Sequence, residues 1–260
     1  MNIILTGGTS QIGKLLTAEL HKHGHQVIQI GRGQSNAWQL GLPIPKTING
    51  EVLIHLAHDR TRSVAETITD VRILLEGFSG FSILLSSTSA HALARSNYGK
   101  SKYLSEQLFI ENRGSVIKAG LIYGSIGNRF LDTLSKILRS FRCVILPYRG
   151  NSRFFVSDAD VLVAEVICTA QTKRTGKIRA FSLMPSSFRN LLIKTNSDLK
   201  FKIFTIPSIV LSNLLIYSIH FLLPRNESID SLVSLVSEIN LQEIITFESP
   251  VNDFNLPIIL

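Results

Sequence analysis

The chain is poor in cysteine and in acidic residues, and each shortage limits the classes of protein to which it can belong. Its 260 residues include two cysteines, Cys143 and Cys168, which lie in apolar surroundings without CxxC spacing. Two isolated thiols cannot form a disulfide framework, so a small disulfide-stapled secreted domain is excluded. We expect two buried thiols. Because no basic region or small-residue cleavage site precedes the first apolar run, we also expect a cytoplasmic protein.

Asp and Glu number 19 against 27 Lys and Arg, which gives a formal net charge of +8. Anionic partners, such as the phosphates of a cofactor or substrate, are therefore favoured. The basic residues are scattered and form no stripe with interleaved aromatics, so a nucleic-acid partner is not expected. With 45% hydrophobic residues, the chain can bury the core of one large α/β domain.

One long stretch, residues 203–223, lacks charge altogether and is about as long as a membrane-spanning helix. Pro207 stands near its start, and serines, an asparagine and a histidine interrupt it, so we favour a buried helix of a substrate subdomain. Lys200, Lys202 and Arg225 flank the stretch, which leaves attachment to a membrane surface open without favouring it.

Hydrophobic patterning predicts alternating strands and helices. Strands are predicted at 2–5, 26–30, 52–57, 82–86, 115–122 and 144–146, and helices at 12–23, 63–78, 98–110, 130–140, 158–170 and 228–239. Residues 33–50, rich in Gly, Pro and Asn, predict no helix. This alternation predicts an α/β fold with a doubly wound, Rossmann-like parallel sheet. We assign residues 1–125 to a dinucleotide-binding core. Residues 126–260 are assigned to a mixed region that returns to the core until about residue 183 and also forms a small C-terminal substrate subdomain.

A glycine-rich turn at residues 6–13 (TGGTSQIG) directly follows the first predicted strand. Gly7, Gly8 and Gly13 let the backbone approach a pyrophosphate, which backbone N–H groups and the N-terminus of the next helix then bind. No acidic residue that would bind the ribose hydroxyls of NAD follows the second strand. Arg32 stands there instead and favours NADP, because a guanidinium presents a planar fork of donors to phosphate. The expected cofactor is therefore NAD or NADP, with NADP favoured.

Tyr98 and Lys102 are four residues apart in a predicted helix and therefore share one helix face. The lysine cation can stabilise a phenolate and so make the tyrosine a usable acid or base. Combined with the glycine turn, this pair predicts a redox enzyme. His21, His23 and His25 surround a helix end without supporting cysteines or carboxylates, so no metal site is predicted.

Taken together, these motifs resemble the extended short-chain dehydrogenase/reductase superfamily, in particular the NAD-dependent epimerase/dehydratase family. The resemblance covers most of residues 1–170 and is carried by residues 6–13, 52–57, 86–88, 98–102, 118–124 and 153–160. It implies a homodimer and a sugar substrate linked to a nucleoside diphosphate. The sugar would undergo epimerisation or keto reduction, with dehydration the least expected reaction.

The resemblance also implies roles for individual residues. Tyr98 would be the acid/base, Lys102 would lower its pKa and contact the nicotinamide ribose, and Thr88 would supply the partner hydroxyl. Ser87 and Ser89 are alternatives to Thr88. The implied cofactor-binding residues are Gly7, Gly8, Thr9, Ser10, Gln11, Ile12, Gly13, Arg32, Leu56, Ala57, His58, Ser86, Tyr98 and Lys102.

Three features depart from the family pattern. Ser10 replaces the middle glycine of the turn, the segment between Thr88 and Tyr98 is short, and Lys118 with Ala119 stands where an Arg-Pro pair is common. The leading prediction is an NAD(P)-dependent nucleotide-sugar oxidoreductase or epimerase. A non-catalytic NADP-binding sensor or scaffold of the same fold is the alternative, and a membrane-associated enzyme of polysaccharide synthesis is a third.

Overall fold

The computed structural model describes residues 1–34, 36–94, 96–125, 135–136, 138–146, 153–182, 186–196, 198 and 200–206. Its helices there are α1 (Gln11–Lys22), α2 (Val64–Glu76), α3 (Asn97–Glu111), α4 (Ala159–Thr172) and α5 (Phe188–Thr195). Its strands are β1 (Asn2–Thr6), β2 (Gln26–Gly31), β3 (Asn36–Ala37), β4 (Val52–His55), β5 (Phe81–Ser87), β6 (Ser115–Ala119), β7 (Leu121–Tyr123), β8 (Cys143–Leu146), β9 (Arg153–Phe154), β10 (Val156–Asp158), β11 (Gly176–Ala180), β12 (Ser186–Ser187) and β13 (Lys202–Thr205). Each strand and helix predicted before residue 115 is present.

The main sheet runs in the order β3-β2-β1-β4-β5-β6-β11, and all of its neighbouring pairs are parallel. The strands extend in both directions from β1, so the chain reverses its direction of growth between β1 and β4. This arrangement is a doubly wound sheet and confirms the predicted Rossmann-like α/β class. In the described part of 33–50, the short strand β3 continues the sheet and no helix is present, as predicted.

The first helix begins where the sequence places a capping side chain. Ser10 has extended backbone angles, and its Oγ accepts a hydrogen bond from the Gly13 N–H at 3.0 Å. A serine in this position satisfies a backbone donor that the first helical turn leaves without a partner. Leu16 and Leu20 then follow at helical spacing and are fully buried against the sheet.

Helices cover both faces of the sheet, because side chains alternate along each buried strand. On one face, α1 and α4 pack on a cluster that includes Leu5, Ile54 and Ile117. On the other face, α2 and α3 pack on neighbouring strand positions, with Phe109 of α3 buried against Leu84. The carboxyl edge of the sheet lies between these two helical layers.

One predicted strand, 115–122, is divided in the structure. β6 ends at Ala119 and pairs with β5 and β11, whereas β7 pairs with β10 outside the main sheet. Gly120 makes the division possible, because a Cβ at this position would lie 2.3 Å from the Phe155 carbonyl oxygen. The chain therefore leaves the main sheet at the glycine.

The elements after residue 125 divide between the main sheet and a separate apolar cluster. Helix α4 and strand β11 return to the main sheet, whereas β8 pairs with β13 around a separate apolar cluster of Leu138, Leu146 and Leu192. The substrate subdomain and the boundary at residue 125 both stay predictions. Of the predicted helix 130–140, residues 135–136 and 138–140 are described and helical. The predicted helix 228–239 lies outside the described residues.

Two expectations from the sequence need correction or completion. The expectation of two buried thiols was wrong: Cys143 is only partly buried and Cys168 is exposed, because Cys168 lies on the outer side of α4. The start of the charge-free stretch is the strand β13, and residues 207–223 lie outside the described residues. Among the helices that the structure describes, none is long and apolar enough to cross a membrane.

Candidate functional site

A cavity of about 750 Å³ opens at the carboxyl edge of the sheet. Residues at or just after the carboxyl ends of β1, β2, β4, β5 and β6 line it, and these strands lie on both sides of the reversal between β1 and β4. Ligands of open parallel sheets bind at such reversal points, because the loops from adjacent strands diverge there and leave a crevice. The fold therefore places a binding site where the sequence has its glycine turn.

The glycine turn is held so closely to its neighbours that side chains would not fit. Gly7 has φ +72°, and a Cβ there would lie 2.8 Å from the Ala57 backbone nitrogen. A Cβ on Gly13 would lie 2.4 Å from the Gly7 carbonyl oxygen. Ser10, which departs from the family pattern, donates its hydroxyl hydrogen to the Gly7 carbonyl at 2.8 Å and thus belongs to the turn. Of the turn and the start of α1, Gly7, Thr9, Ser10 and Gln11 line the cavity.

The structure brings most of the predicted cofactor-binding residues together. The cavity is lined by Gly7, Thr9, Ser10, Gln11, Arg32, Leu56, Ala57, His58, Ser86, Tyr98 and Lys102. Gly8, Ile12 and Gly13 do not line it. Ile12 and Gly13 are buried below the turn, where they pack α1 against the sheet rather than face a ligand.

Arg32 lies at one end of the cavity, after β2, and its side chain is largely exposed. One guanidinium nitrogen is 3.8 Å from Asp59 Oδ2. Hydrogen bonds from Thr61 hold the pKa of Asp59 below its usual value, and the nearby Arg32 charge adds to the effect. Arg32 is thus close to a carboxylate from the loop after β4. The proximity of this loop to the end of β2 was not predicted from the sequence.

Tyr98 lies in the first turn of α3, and its ring is half-buried in the cavity wall. His58 meets the ring edge to face, with the ring centroids 4.9 Å apart. The Arg60 guanidinium carbon lies 5.5 Å from the ring centroid. Burial raises the pKa of the Tyr98 phenol, while the Arg60 charge and a hydrogen bond with Ser87 oppose this rise. Burial is therefore the largest influence on the pKa of Tyr98 in this site, and the role that the resemblance implies for Lys102 stays a prediction.

Lys102 lies one turn further along α3 and is almost completely buried. Its ammonium donates a hydrogen bond to the Leu85 carbonyl at 2.9 Å, and its side chain lines the cavity. Burial lowers the pKa of Lys102 to about 8, while the Glu106 carboxylate opposes this fall. The amine therefore remains mostly protonated at neutral pH.

The three candidate hydroxyls at the end of β5 differ in their position relative to the cavity. Ser87 lines the cavity and shares a hydrogen bond with Tyr98. Thr88 is buried, does not line the cavity, and uses its backbone N–H to bond the Ala119 carbonyl at 2.8 Å. Ser89 also lies outside the lining and donates its backbone N–H to Ser87 Oγ at 3.2 Å. Of the three candidates named from the sequence, Ser87 is the one that the fold places against Tyr98.

Beneath Lys102, Glu106 has no exposed surface and binds side chains from three strands. Its Oε1 accepts the Ser86 hydroxyl hydrogen at 2.6 Å and lies 3.5 Å from Lys118 Nζ. Its Oε2 is 3.4 Å from Lys177 Nζ. Burial raises the pKa of Glu106, and the Lys118 charge and the Ser86 hydrogen bond oppose the rise. A network of charges thus connects α3 to β5, β6 and β11.

Two histidines near the cavity are held in the neutral form. Burial and the Lys102 charge lower the pKa of both His55 and His58 to about 3. His55 is buried, with Nδ1 2.8 Å from Thr6 Oγ1, whereas His58 lines the cavity. Within the described residues, no group of three or more His, Cys, Asp or Glu side chains is placed to hold a metal ion.

Several lining residues were not predicted from the sequence. They are Lys14, Gly31, Trp38, Gln39, Leu40, Asp59, Arg60, Arg62, Leu85, Ala119, Gly120 and Ile122. Asp59 and Arg60 directly follow His58, so extending the predicted binding segment after β4 by two residues would have included them. Glu106 follows Lys102 by four residues, and this helical spacing was a usable signal. The contribution of Trp38 had no signal, because it depends on how the 36–44 segment folds back.

Comparison with known proteins supports the fold. No protein-family model matches the chain, and none of the curated proteins matches it. A dTDP-4-dehydrorhamnose reductase from Bacillus anthracis, solved with NADP, superposes with a TM-score of 0.67 at 17% identity over 81% of this chain and 85% of that one. A UDP-glucose 4-epimerase from Thermotoga maritima, solved with UDP-glucose, gives 0.65 at 18% over 80% and 86%. RMD from Pseudomonas aeruginosa, solved with NADPH, gives 0.61 at 16% over 92% and 98%.

Proposed function

We propose that the protein is an NAD(P)-dependent oxidoreductase or epimerase that acts on a nucleotide-linked sugar, with Tyr98 as its acid/base. The observation that carries this proposal is that the glycine turn, Tyr98 and Lys102 line one cavity at the reversal point of the sheet. The solved structures that share the fold include a reductase with NADP and an epimerase with UDP-glucose, and they support the same class of reaction.

The residues of the cavity fit a dinucleotide. Gly7, Thr9, Ser10 and Gln11 line the cavity at the N-terminus of α1, where the positive end of the helix dipole and free backbone N–H groups would bind a pyrophosphate. Lys14 adds a cation one turn into α1. Just after β2, Arg32 would bind a ribose phosphate, which favours NADP over NAD. These groups leave Tyr98 and Lys102 for the redox end of the cofactor.

The protein's part of the chemistry is proton transfer. When bound, the dinucleotide supplies a hydride to a carbonyl carbon or accepts one from an alcohol carbon. In reduction, the Tyr98 hydroxyl gives its proton to the carbonyl oxygen and becomes a phenolate. In oxidation, the phenolate takes the proton from the substrate hydroxyl. Both keto reduction and epimerisation at a carbinol carbon use this exchange, so the proposal includes both.

Ser87 and Lys102 prepare this exchange in different ways. The Ser87 hydroxyl bonds the phenol and so orients its oxygen. Lys102 is anchored by the Leu85 carbonyl and places a positive charge in the wall of the same cavity. That charge would favour the phenolate and offer hydrogen bonds to a ribose. The half-buried cavity strengthens these interactions, because few water molecules screen them.

The proposal is tested with the purified protein, NADPH or NADH, and a panel of UDP-, dTDP- and GDP-linked sugars that includes 4-keto sugars. We expect turnover of at least one sugar and a loss of about 100-fold or more in kcat for Tyr98→Phe, without a comparable change in cofactor affinity. Tyr103→Phe is the matched control, because Tyr103 is on the same helix but does not line the cavity.

The alternative of a non-catalytic sensor predicts a different result. Its support is the raised pKa of Tyr98 and the short segment between Thr88 and Tyr98. A sensor would bind NADPH, which quenching of protein fluorescence or a change in cofactor fluorescence reports, but would convert no sugar. Binding without conversion across the panel would overturn the proposed enzyme, whereas full activity of Tyr98→Phe would overturn the role of Tyr98 as its acid/base.

A further inference from the structure

Arg60 is a cation that faces the Tyr98 ring in the same cavity. It lies on the loop that follows β4, two residues after His58, and its guanidinium carbon is 5.5 Å from the ring centroid. A guanidinium within about 6 Å of a tyrosine ring is attracted to it, and the attraction grows when the ring carries negative charge. The loop after β4 therefore brings a permanent positive charge to the phenol.

The lysine that the sequence paired with Tyr98 is anchored elsewhere. Lys102 donates to the Leu85 carbonyl at 2.9 Å and has the Glu106 carboxylate one helical turn away. The charge that opposes the raised pKa of Tyr98 is that of Arg60, and the Ser87 hydrogen bond adds to its effect. The two cations thus contact the site from different elements.

We propose that Arg60 is a second cation, beside Lys102, that supports the phenolate form of Tyr98, and so a positioning residue for the reaction proposed above. When Tyr98 gives up its proton to a carbonyl oxygen, a negative charge remains in a half-buried site, where it is poorly hydrated. The guanidinium beside the ring balances that charge. Burial lowers the pKa of Lys102 to about 8, so a second cation becomes more important as pH rises toward that value.

The other side chains that meet Tyr98 directly carry no positive charge. His58 meets the ring but is neutral, because burial lowers its pKa to about 3. Ser87 of β5 offers only a hydroxyl, and Asp59 of the loop after β4 is a carboxylate that points to Arg32 at 3.8 Å. On α3 itself, Lys102 and Glu106 are the charged groups of the buried side, and they have opposite signs.

Arg62 offers a matched control, because it lines the same cavity two residues further along the loop. Its Nη1 is 2.9 Å from Asp70 Oδ1, and its Nη2 donates to the Leu40 carbonyl at 3.1 Å. Its charge is therefore paired with a buried carboxylate of α2 rather than directed at the tyrosine. Removing Arg60 and removing Arg62 change the net charge equally but should affect Tyr98 differently.

The experiment measures the ionisation of the phenol directly. A fluorinated tyrosine at position 98, which titrates at lower pH than tyrosine itself, is followed by ¹⁹F NMR in otherwise unchanged protein and in Arg60→Met, Arg60→Lys and Arg62→Met. We expect Arg60→Met to raise the pKa at position 98 by about one unit. Arg60→Lys should restore most of the change, and Arg62→Met should leave the pKa at its original value.

The same variants with natural tyrosine are then compared in turnover. We expect Arg60→Met to lower kcat about tenfold with little change in KM, and to move the acidic limb of the oxidation profile to higher pH by the same amount as the titration. An unchanged pKa at position 98 together with a raised KM would overturn the proposal and make Arg60 a substrate-binding residue. If the unmodified enzyme turns over no sugar, the proposed function fails, while a shifted titration still supports the pairing of Arg60 with Tyr98.

Discussion

Glu106 and Lys118 form an ion pair in the interior, with 3.5 Å between Oε1 and Nζ and with 0% and 3% of their side chains exposed. Lys118 occupies the position at which the family pattern has an arginine, and its ammonium also donates to the Ala90 carbonyl. The pair therefore connects α3, which bears Tyr98 and Lys102, to β6 and to the short segment between Thr88 and Tyr98. A buried pair of this kind is costly to break from one side, because Glu106 loses a buried counter-charge and keeps the partly exposed Lys177 at 3.4 Å.

Replacing Lys118 should destabilise the fold in a manner that depends on pH. Lys118→Met raises the pKa of Glu106 further above its usual value, because it removes the main opposing charge. A carboxyl with a raised pKa is tolerated at low pH and becomes unfavourable as pH rises through that value. We expect a loss of about 3 kcal/mol in the free energy of unfolding at pH 8 and a clearly smaller loss at pH 5.5.

Denaturant unfolding at the two pH values measures this effect. Adding Glu106→Gln to the Lys118→Met chain removes the titrating group, so the double variant should show little difference between the two pH values. Equal losses at pH 5.5 and pH 8 for the single variant would show that Glu106 is not the group involved.

The two hydroxyls at the end of β5 should differ in their effect on catalysis. Ser87 lines the cavity and bonds Tyr98, whereas Thr88 is buried outside the lining. We therefore expect Ser87→Ala to lower kcat by about 10- to 100-fold, and Thr88→Val to change kcat less than threefold or so. Steady-state kinetics with the converted sugar decides between them. A larger loss for Thr88→Val would return the role to the residue that the family resemblance implies.

His55 should make the fold sensitive to acid. Its pKa is lowered to about 3 by burial, so the neutral form is the one that the folded state accepts. Stability from such a group is complete above the unfolded pKa, near 6.5, and is lost as pH falls toward 3. The loss approaches about 1.4 kcal/mol for each pH unit in this window.

The substitution His55→Asn keeps a polar group near Thr6 Oγ1, 2.8 Å from the original ring nitrogen, but does not titrate. We expect its free energy of unfolding to fall less steeply between pH 6.5 and pH 4 than that of the unmodified protein. This difference in slope does not depend on which protein is more stable at pH 6.5. Urea unfolding at several pH values measures both free energies, and an equal fall with pH in the two proteins would contradict the prediction.

Arg32 should set the preference between the two nicotinamide cofactors. Its guanidinium lies just after β2 and is largely exposed, so a phosphate can contact it there. Asp59 Oδ2 lies 3.8 Å from one of its nitrogens. We expect Arg32→Gln to weaken NADPH binding about tenfold and to leave NADH binding nearly unchanged, because only NADPH carries the additional phosphate.

Fluorescence titration with both cofactors measures this difference. Arg72→Gln is the control, since Arg72 is an exposed arginine of α2 that does not line the cavity. Equal weakening of NADPH and NADH by Arg32→Gln would assign the arginine to the shared part of the cofactor.

Much of the fold was predictable because it depends on short-range patterns. Apolar periodicity located the elements before residue 115, and Ser10, Ser63 and Ser96 cap the helices that follow them. The division of the strand at Gly120 was not predictable, since the close approach of Phe155 involves a residue 35 positions away in the chain. Strand β11 was missed as well, because its pairing with β6 depends on the return of the chain through α4.

The candidate site divides in the same way. The glycine turn and the spacing of Tyr98 and Lys102 were visible in the sequence, and the cavity contains both. The contact of Arg60 with Tyr98 was not visible, because it joins the loop after β4 to the start of α3. The direction of the pKa of Tyr98 was not predictable either, since burial depends on the surrounding structure and outweighs the nearby charge.

The sequence by itself determined the local geometry: which residues form helices and strands, where the backbone turns at glycine, and which side chains share a helix face. Only the tertiary structure decided which charges meet, as when Glu106 of α3 faces Lys118 of β6 and Lys177 of β11. The physical reason is range. Helical periodicity and capping act over three or four residues, whereas burial and charge pairing depend on segments that become neighbours only when the sheet assembles.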